Sequence, residues 1–413
     1  MLRAPPLALY VHLPWCVRKC PYCDFNSYAL KGELEEERYL DALRRDLDGQ
    51  APQVEGRPVV SVFFGGGTPS LFSPGAIGRV LDLARARLAF APGAEVTMEA
   101  NPGAIERGRF AEYRAAGLNR VSLGAQTFDA GRLEALGRIH SPGDTRRAAE
   151  ELHAAGVTHF NLDLMYGLPG QDPGAAVRDI EEALALHPDH LSHYQLTLEP
   201  GTPFAHRPPA LPAEEAIEQM LEDCQAVLTR AGFDRYEVSA YARHGGRCRH
   251  NLNYWAFGDY LGLGAGAHGK LTLPEEAQVI RTVHPRDPRR YMAGTGAPAR
   301  AAVPPAQLPF EFMLNALRLL EGFERPTFTE RTGLPWDTVA PRLEELRTEG
   351  LIETEGAWYR PSPRGLAFLN EVLLRFVETP KSPGDSRLST APEVAAALGA
   401  DALFTARGGG AGE

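Results

Sequence analysis

Cys16, Cys20 and Cys23 share one short loop, Cys16-Val-Arg-Lys-Cys20-Pro-Tyr-Cys23, whose C-x3-C-x2-C spacing supplies three thiolates. Four thiolates complete a tetrahedral zinc site or saturate an iron–sulfur cube. Three leave one iron of a [4Fe–4S] cluster open to an outside ligand, and an open iron is a reactive one. A zinc site would need a fourth donor, and His12, four residues before Cys16, is the nearest candidate. Cys224 and Cys248 are isolated, which argues against a disulfide framework. Five cysteines with three of them clustered suit a reducing compartment, so a cytoplasmic location is expected.

The elements around this loop read as a parallel βα array, with short apolar runs alternating with amphipathic segments as far as Tyr236. Candidate strands are Leu7–Leu13, Val59–Phe64, Glu95–Glu99, Arg120–Leu123, His159–Leu164 and His190–Leu196. Helices are expected at Glu35–Leu47, Pro74–Leu88, Ile105–Ala115, Gly143–Ala155, Pro173–Leu186 and Pro212–Ala231. Six βα units fall two short of a closed barrel, so the fold class is α/β, an open (βα)6 partial TIM barrel. In such folds the chemistry gathers at the carboxyl ends of the strands. The cysteine loop follows the first strand and Gly65-Gly66-Gly67-Thr68 the second. Glu99 ends the third, Gln126 and Arg138 follow the fourth, Asp163 closes the fifth, and Gln195 with Thr197 ends the sixth. All six point to one mouth.

Residues 1–236 are thus expected to form the barrel. The stretch 237–304 reads as an irregular connector carrying Arg249-His250-Asn251-Leu252-Asn253-Tyr254-Trp255 and a glycine-rich run. Residues 305–377 read as a winged-helix-like domain, and 378–413, rich in Pro, Ser, Ala and Gly, as a disordered tail. A winged helix often means DNA, yet eleven acids face eight arginines and no lysine between Phe310 and Phe376. With a net charge of −10 over 413 residues, nucleic acid and anionic membrane are not expected partners. No stretch approaches the length of a membrane span, and the proline-broken start does not resemble a signal peptide.

The cysteine loop after its strand resembles the signature of the radical S-adenosylmethionine (SAM) enzymes. In that superfamily the SAM amine and carboxylate chelate the open iron, and one electron from the cluster splits the sulfonium. A closer resemblance follows from Tyr10-Val11-His12-Leu13-Pro14-Trp15-Cys16, Cys20-Pro21-Tyr22-Cys23-Asp24-Phe25-Asn26-Ser27, Gly65-Gly66-Gly67-Thr68-Pro69-Ser70, Glu99-Ala100-Asn101-Pro102 and Gly124-Ala125-Gln126. With the winged-helix end, these are similar to the oxygen-independent coproporphyrinogen III oxidase family over residues 7 to about 376. Phe25 stands where the oxidase proper has a fourth cysteine. Cys23-Asp-Phe-Asn-Ser27 and His250-Asn-x-x-Tyr254-Trp255 instead resemble the haem-chaperone subgroup.

The resemblance implies a [4Fe–4S] cluster on Cys16, Cys20 and Cys23, and SAM contacts from Tyr10, Gly66, Gly67, Thr68, Glu99, Gln126, Arg138 and Asp163, with Tyr22 shaping the cluster pocket. It also implies haem as a bound group. An iron porphyrin needs an axial nitrogen or sulfur and an apolar surround, which His250 beside Tyr254 and Trp255 offers, with Cys248 as the alternative ligand. The expected function is haem binding and transfer to acceptors such as membrane respiratory enzymes. Two alternatives stand beside it. One is oxidative decarboxylation of coproporphyrinogen III, against which Phe25 counts. The other is a zinc-bound winged-helix regulator, against which the acidic balance counts.

Overall fold

A computed structural model describes residues 1–103, 109–243, 245–294 and 297–377. The tail read as disordered, and Ile105 where a helix was expected to start, lie outside the described residues. Strands β1 (Leu7–Leu13), β2 (Val59–Gly66), β3 (Phe90–Ala100), β4 (Arg120–Gln126), β5 (Phe160–Tyr166) and β6 (His190–Gln195) pair in sequence order, all parallel. Between them run the covering helices α1 (Glu36–Gln50), α2 (Pro74–Arg87), α3 (Phe110–Ala115), α4 (Pro142–Ala154) and α5 (Pro173–Ala185), followed by α6 (Glu214–Arg230) after β6.

Three of these helices start with the same local chemistry. Ser73, Ser141 and Asp172 each accept a backbone N–H from the third residue on, and each precedes a Pro-Gly pair. The cap satisfies an orphan donor of the first turn, and proline fills a helical position whose N–H has no partner anyway. The strand-to-helix turns are therefore fixed by sequence, and with them the positions of the strand ends.

The stretch 237–304 is not the irregular connector expected from its sequence. It contains two short α-helices, α7 (Arg249–Trp255) and Pro288–Ala293, and five strands: Ala240–Ala242, which pairs antiparallel with β6, then β7 (Asp259–Leu263), β8 (His268–Leu273), β9 (Gln278–Val283) and β10 (Ala299–Ala302). Strand β7 pairs parallel with β1, and β8 to β10 continue outward as antiparallel neighbours. The result is a 12-stranded open sheet whose core of seven parallel strands is one longer than the sequence suggested. Glycines at 258, 262, 264, 266 and 269 hid β7 and β8, because strand interiors rarely carry so many. Here close backbone neighbours occupy the space. A Cβ on Gly262 would stand 1.9 Å from the His268 carbonyl oxygen.

Strand side chains alternate between faces, and here the two faces differ in kind. The outward set, including Val11, Val62, Phe64, Met98, Leu123, Leu162 and Leu191, forms the main apolar core beneath the helices. The inward set is polar and aromatic: Tyr10 on β1, Phe63 on β2, Glu99 on β3, Ser122 on β4, Asp163 on β5 and Ser192 on β6. A closed eight-stranded barrel fills its middle with branched apolar side chains. This sheet leaves its middle open to a ligand.

Beyond the sheet, α8 (Leu308–Ala316) starts a second core in which Phe312 packs edge-on against Phe323, Phe328 and Phe257 at 5.0–5.6 Å. Helices Arg325–Thr332 and Ala340–Thr348 and a small sheet of Phe323–Glu324, Ile352–Glu355 and Trp358–Pro361 complete it. Two ion pairs join this unit to the rest of the chain: Glu311 with Arg281 of β9 at 2.6 Å, and the buried Arg318 with Glu237 at 3.0 Å. No described helix is long and apolar enough to cross a membrane.

Candidate functional site

Two adjoining cavities open on the inward face. One, of about 290 Å³, is lined by Cys16, Cys20, Cys23, Thr68, Gln126 and Arg138. The other, of about 330 Å³, is lined by Tyr10, Phe63, His250, Tyr254 and Arg120. Phe25, Gly66, Glu99, Asp163, Asn251 and Trp255 border both. The residues expected to hold SAM and haem therefore face one continuous space.

The cysteine loop is pinned at its base. Trp15–Cys16 pairs with Tyr28–Ala29, the Leu30 N–H donates to the Cys16 carbonyl at 2.8 Å, and Lys19 donates to the carbonyls of Phe25 and Ser27. All three thiols are free and half-buried. Burial raises the Cys16 thiol and pushes Cys23 up to about 11. Such sulfurs ionise readily only beside a cation, which a cluster iron supplies.

The donor set fits a cluster better than a zinc ion. Among the described residues no three His, Cys, Asp or Glu side chains are grouped to hold a single metal ion. One zinc would require that grouping, whereas each thiolate of a cube binds a different iron. His12 cannot serve as the missing ligand in this conformation. Its Nε2 lies 2.9 Å from the Asn26 carbonyl, an acceptor only, so Nε2 carries the proton; Nδ1 then accepts from the Tyr10 hydroxyl at 2.9 Å. No lone pair of the ring is left for a metal.

Arg138 ties the cysteine loop to the strand ends. Its Nη1 is 3.8 Å from the Cys20 sulfur, and its Nη2 donates to the Gly124 carbonyl at 2.7 Å and to the Asn101 side chain. Asn101 in turn donates to the Thr68 hydroxyl at 2.9 Å. Gln126, at a φ of +67°, accepts the Tyr194 hydroxyl at 2.7 Å. Asp163 accepts from Ser122 and Asn161 at 3.1 and 2.7 Å, while burial pushes its carboxyl up. Tyr22 sits between two cysteines and packs on Phe204 at 6.4 Å.

The glycine triplet has a structural demand of its own. Gly66 has a φ of +110°, and a Cβ there would lie 2.4 Å from the His12 ring; one on Gly67 would lie 2.5 Å from the Trp15 carbonyl. The Gly66 N–H donates to Glu99 at 3.0 Å. Bare backbone at this turn lets β2 approach β1 and the cysteine loop, and leaves peptide groups open to a ligand.

His250 and Cys248 part company. Cys248 is buried, its thiol directed at Glu95 Oε1 at 3.4 Å and pushed up to about 12 by burial. His250 lies on the cavity wall, with Nδ1 3.0 Å from the Ser61 hydroxyl and its ring 5.0 Å from that of Phe63. Glu95 accepts the N–H groups of Arg249 and His250, fixing the start of α7. Asn101, Asn161, Ser61 and Tyr194 were not singled out from sequence. Their signal was the period-2 alternation, which places Ser61, Asn161 and Tyr194 on the inward face.

Residues 10–183 match the model of the radical SAM superfamily, and 303–368 that of the HemN C-terminal domain. The protein named "Heme chaperone HemW" of Escherichia coli (strain K12) is 48% identical over 377 residues, spanning 91% of this chain and 100% of that protein. Its namesake in Haemophilus influenzae is 42% identical over 382 residues, spanning 91% and 99%. Among solved structures, the coproporphyrinogen III oxidase (HemN) of Escherichia coli superposes with a TM-score of 0.76 over 90% of each chain at 23% identity, which shows a shared fold. Radical SAM membership implies a [4Fe–4S] cluster and SAM. The near end-to-end identity to proteins carrying one name, with the radical SAM core and HemN C-terminal domain in the same order, means that this chain belongs to the HemW family.

Proposed function

We propose that this chain is a haem chaperone that takes haem into the cavity beside His250 and passes it to acceptor proteins such as respiratory enzymes. The observation that carries the reading is the state of the His250 ring. Nδ1 is engaged by Ser61, Nε2 has no hydrogen-bond partner among the described residues, and the ring stands on a wall shared with Phe63, Tyr254 and Trp255. A neutral imidazole with one nitrogen oriented and the other available suits an axial ligand. Burial holds His250 down to about 4, so it stays neutral at physiological pH.

Cys16, Cys20 and Cys23 would hold the cluster, and Tyr10, Tyr22, Gly66, Gly67, Thr68, Glu99, Gln126, Arg138 and Asp163 would surround SAM. The cluster when bound supplies an iron corner that the SAM amine and carboxylate can chelate. Arg138 neutralises charge beside Cys20, and Glu99 braces the glycine turn. Phe25 lies on the border of both cavities. An apolar ring there, in place of a fourth cysteine, favours transfer over oxidase chemistry, and the identity to proteins named heme chaperone points the same way.

The test is a spectral haem titration of anaerobically reconstituted protein with and without SAM. A Soret shift that is lost or displaced in His250→Ala is expected. An unchanged spectrum in that variant would remove His250 as the ligand. Conversion of coproporphyrinogen to protoporphyrinogen with SAM and dithionite would favour the oxidase.

A further inference from the structure

The cavity beside His250 contains a buried cation that no described residue hydrogen-bonds. Arg120 opens β4, is 4% exposed and lines the cavity with Ser122, Asn161 and His190. Its Nη2 is buried without a hydrogen-bond partner among the described residues. Glu95, Asp163 and Asp189 reach it through their field, and none of them hydrogen-bonds it. Glu95 accepts from Arg249, His250 and Cys248, and Asp163 from Ser122 and Asn161. Burial opposes the Arg120 charge, but the field of nearby carboxylates, Glu95 and Asp189, helps to keep the group charged. A charged fork of donors enclosed by protein is costly unless an anion completes it.

The shape of a guanidinium selects the anion, because its parallel N–H donors match a carboxylate in a bidentate pair. We propose that Arg120 is the carboxylate-binding residue of this cavity and receives a propionate of the porphyrin. The inference rests on the haem reading above. Its field reaches the His250 ring, so both groups act on one occupant of the cavity. The carboxylate of SAM is the other source of the same chemistry. Arg120 is absent from the wall that carries the three cysteines, where Arg138 stands instead, and this favours the propionate.

The experiment compares haem with haem dimethyl ester, whose propionates are blocked, in one detergent-containing buffer. Both are titrated into the reconstituted full-length protein, Arg120→Met and Arg120→Lys, and SAM affinity is measured in parallel. The wild-type protein should bind haem roughly 10- to 100-fold more tightly than the ester, the range of a charge-assisted pair. Arg120→Met should bind the two alike, with the Soret maximum of its haem complex where that of the wild-type complex lies, and Arg120→Lys should keep part of the preference. Equal binding of haem and ester by the wild-type protein would overturn the proposal, and that result needs no variant to fold. Loss of SAM affinity in Arg120→Lys with the haem preference intact would assign the guanidinium to SAM and overturn it too. An unmoved Soret band with either compound would remove the haem reading, and this inference with it.

Discussion

The Arg138 guanidinium stands 3.8 Å from the Cys20 sulfur while donating to the carbonyl of Gly124 and the side chain of Asn101. One side chain thus links the cysteine loop to the ends of two strands, and through Asn101 to Thr68. Its charge is matched to a site where thiolates and a SAM carboxylate would meet. Replacing it by methionine keeps much of the volume and removes five donors. SAM affinity of Arg138→Met is expected to fall at least about tenfold, from the loss of one charge-assisted bond. Iron and sulfide content after reconstitution should stay near the wild-type value, since the thiolates remain. Equilibrium dialysis with labelled SAM, alongside iron analysis, separates the two effects. Unaltered SAM binding would remove Arg138 from the site.

Loss of the metal should leave the fold standing. The base of the cysteine loop is held by strand pairing and by Lys19, and neither needs a bound ion. Chelation of reconstituted protein should therefore abolish the visible iron–sulfur absorbance while far-UV circular dichroism stays the same. Each of Cys16→Ala, Cys20→Ala and Cys23→Ala should fail to retain roughly four iron per chain. Stoichiometric zinc with negligible sulfide in oxygen-protected protein, or unfolding on chelation, would contradict the cluster assignment.

The strands that carry the site were legible because each alternates, as in Arg120-Val-Ser-Leu-Gly-Ala-Gln126, and because Pro-Gly helix starts bound them. The cysteine loop was legible from thiolate count alone. The extra strands β7 and β8 were not, since their glycines serve close backbone packing, a long-range cause that a local window cannot see. The inward polar face was written in the same alternation, yet strand ends drew attention away from residues two or four positions deeper, such as Arg120 and Ser61. Which of Cys248 and His250 faces the cavity depended on the start of α7, where Glu95 holds the Cys248 thiol and the N–H groups of Arg249 and His250.

Gly66 is expected to tolerate no side chain. Its φ of +110° disfavours an L residue, and a Cβ would meet the His12 ring at 2.4 Å, a ring held at both nitrogens and unable to swing aside cheaply. Backbone strain of about 1–3 kcal/mol adds to the clash. Gly66→Ala should lower the urea midpoint by an amount equivalent to roughly 3 kcal/mol or more, within the range of severe single substitutions. By contrast Gly49 lies inside α1 with nothing within 4 Å of the place a Cβ would take, and should accept alanine with unchanged or raised stability. Comparable denaturation curves for the two variants would refute the packing argument.

Haem affinity should be insensitive to acid until well below the usual histidine range. An imidazole binds iron through a lone pair that protonation removes, so a ligand with an ordinary value near 6.5 would begin to lose affinity as pH falls through about 7. Burial holds His250 at about 4, so the neutral form persists through pH 6 and pH 5. The same depression has a stability cost with a definite sign. The unfolded chain takes up a proton near 6.5 that the folded one refuses, so the cost is absent above that pH and grows as pH falls toward 4. Soret titrations at pH 7.5, 6.5 and 5.5, each paired with circular dichroism to confirm folding, distinguish the cases. Equal affinities across the three are expected. A fall of about tenfold between pH 7.5 and 5.5 in protein that is still folded would mark an ordinary, solvent-exposed histidine as the ligand, and His250 would be excluded.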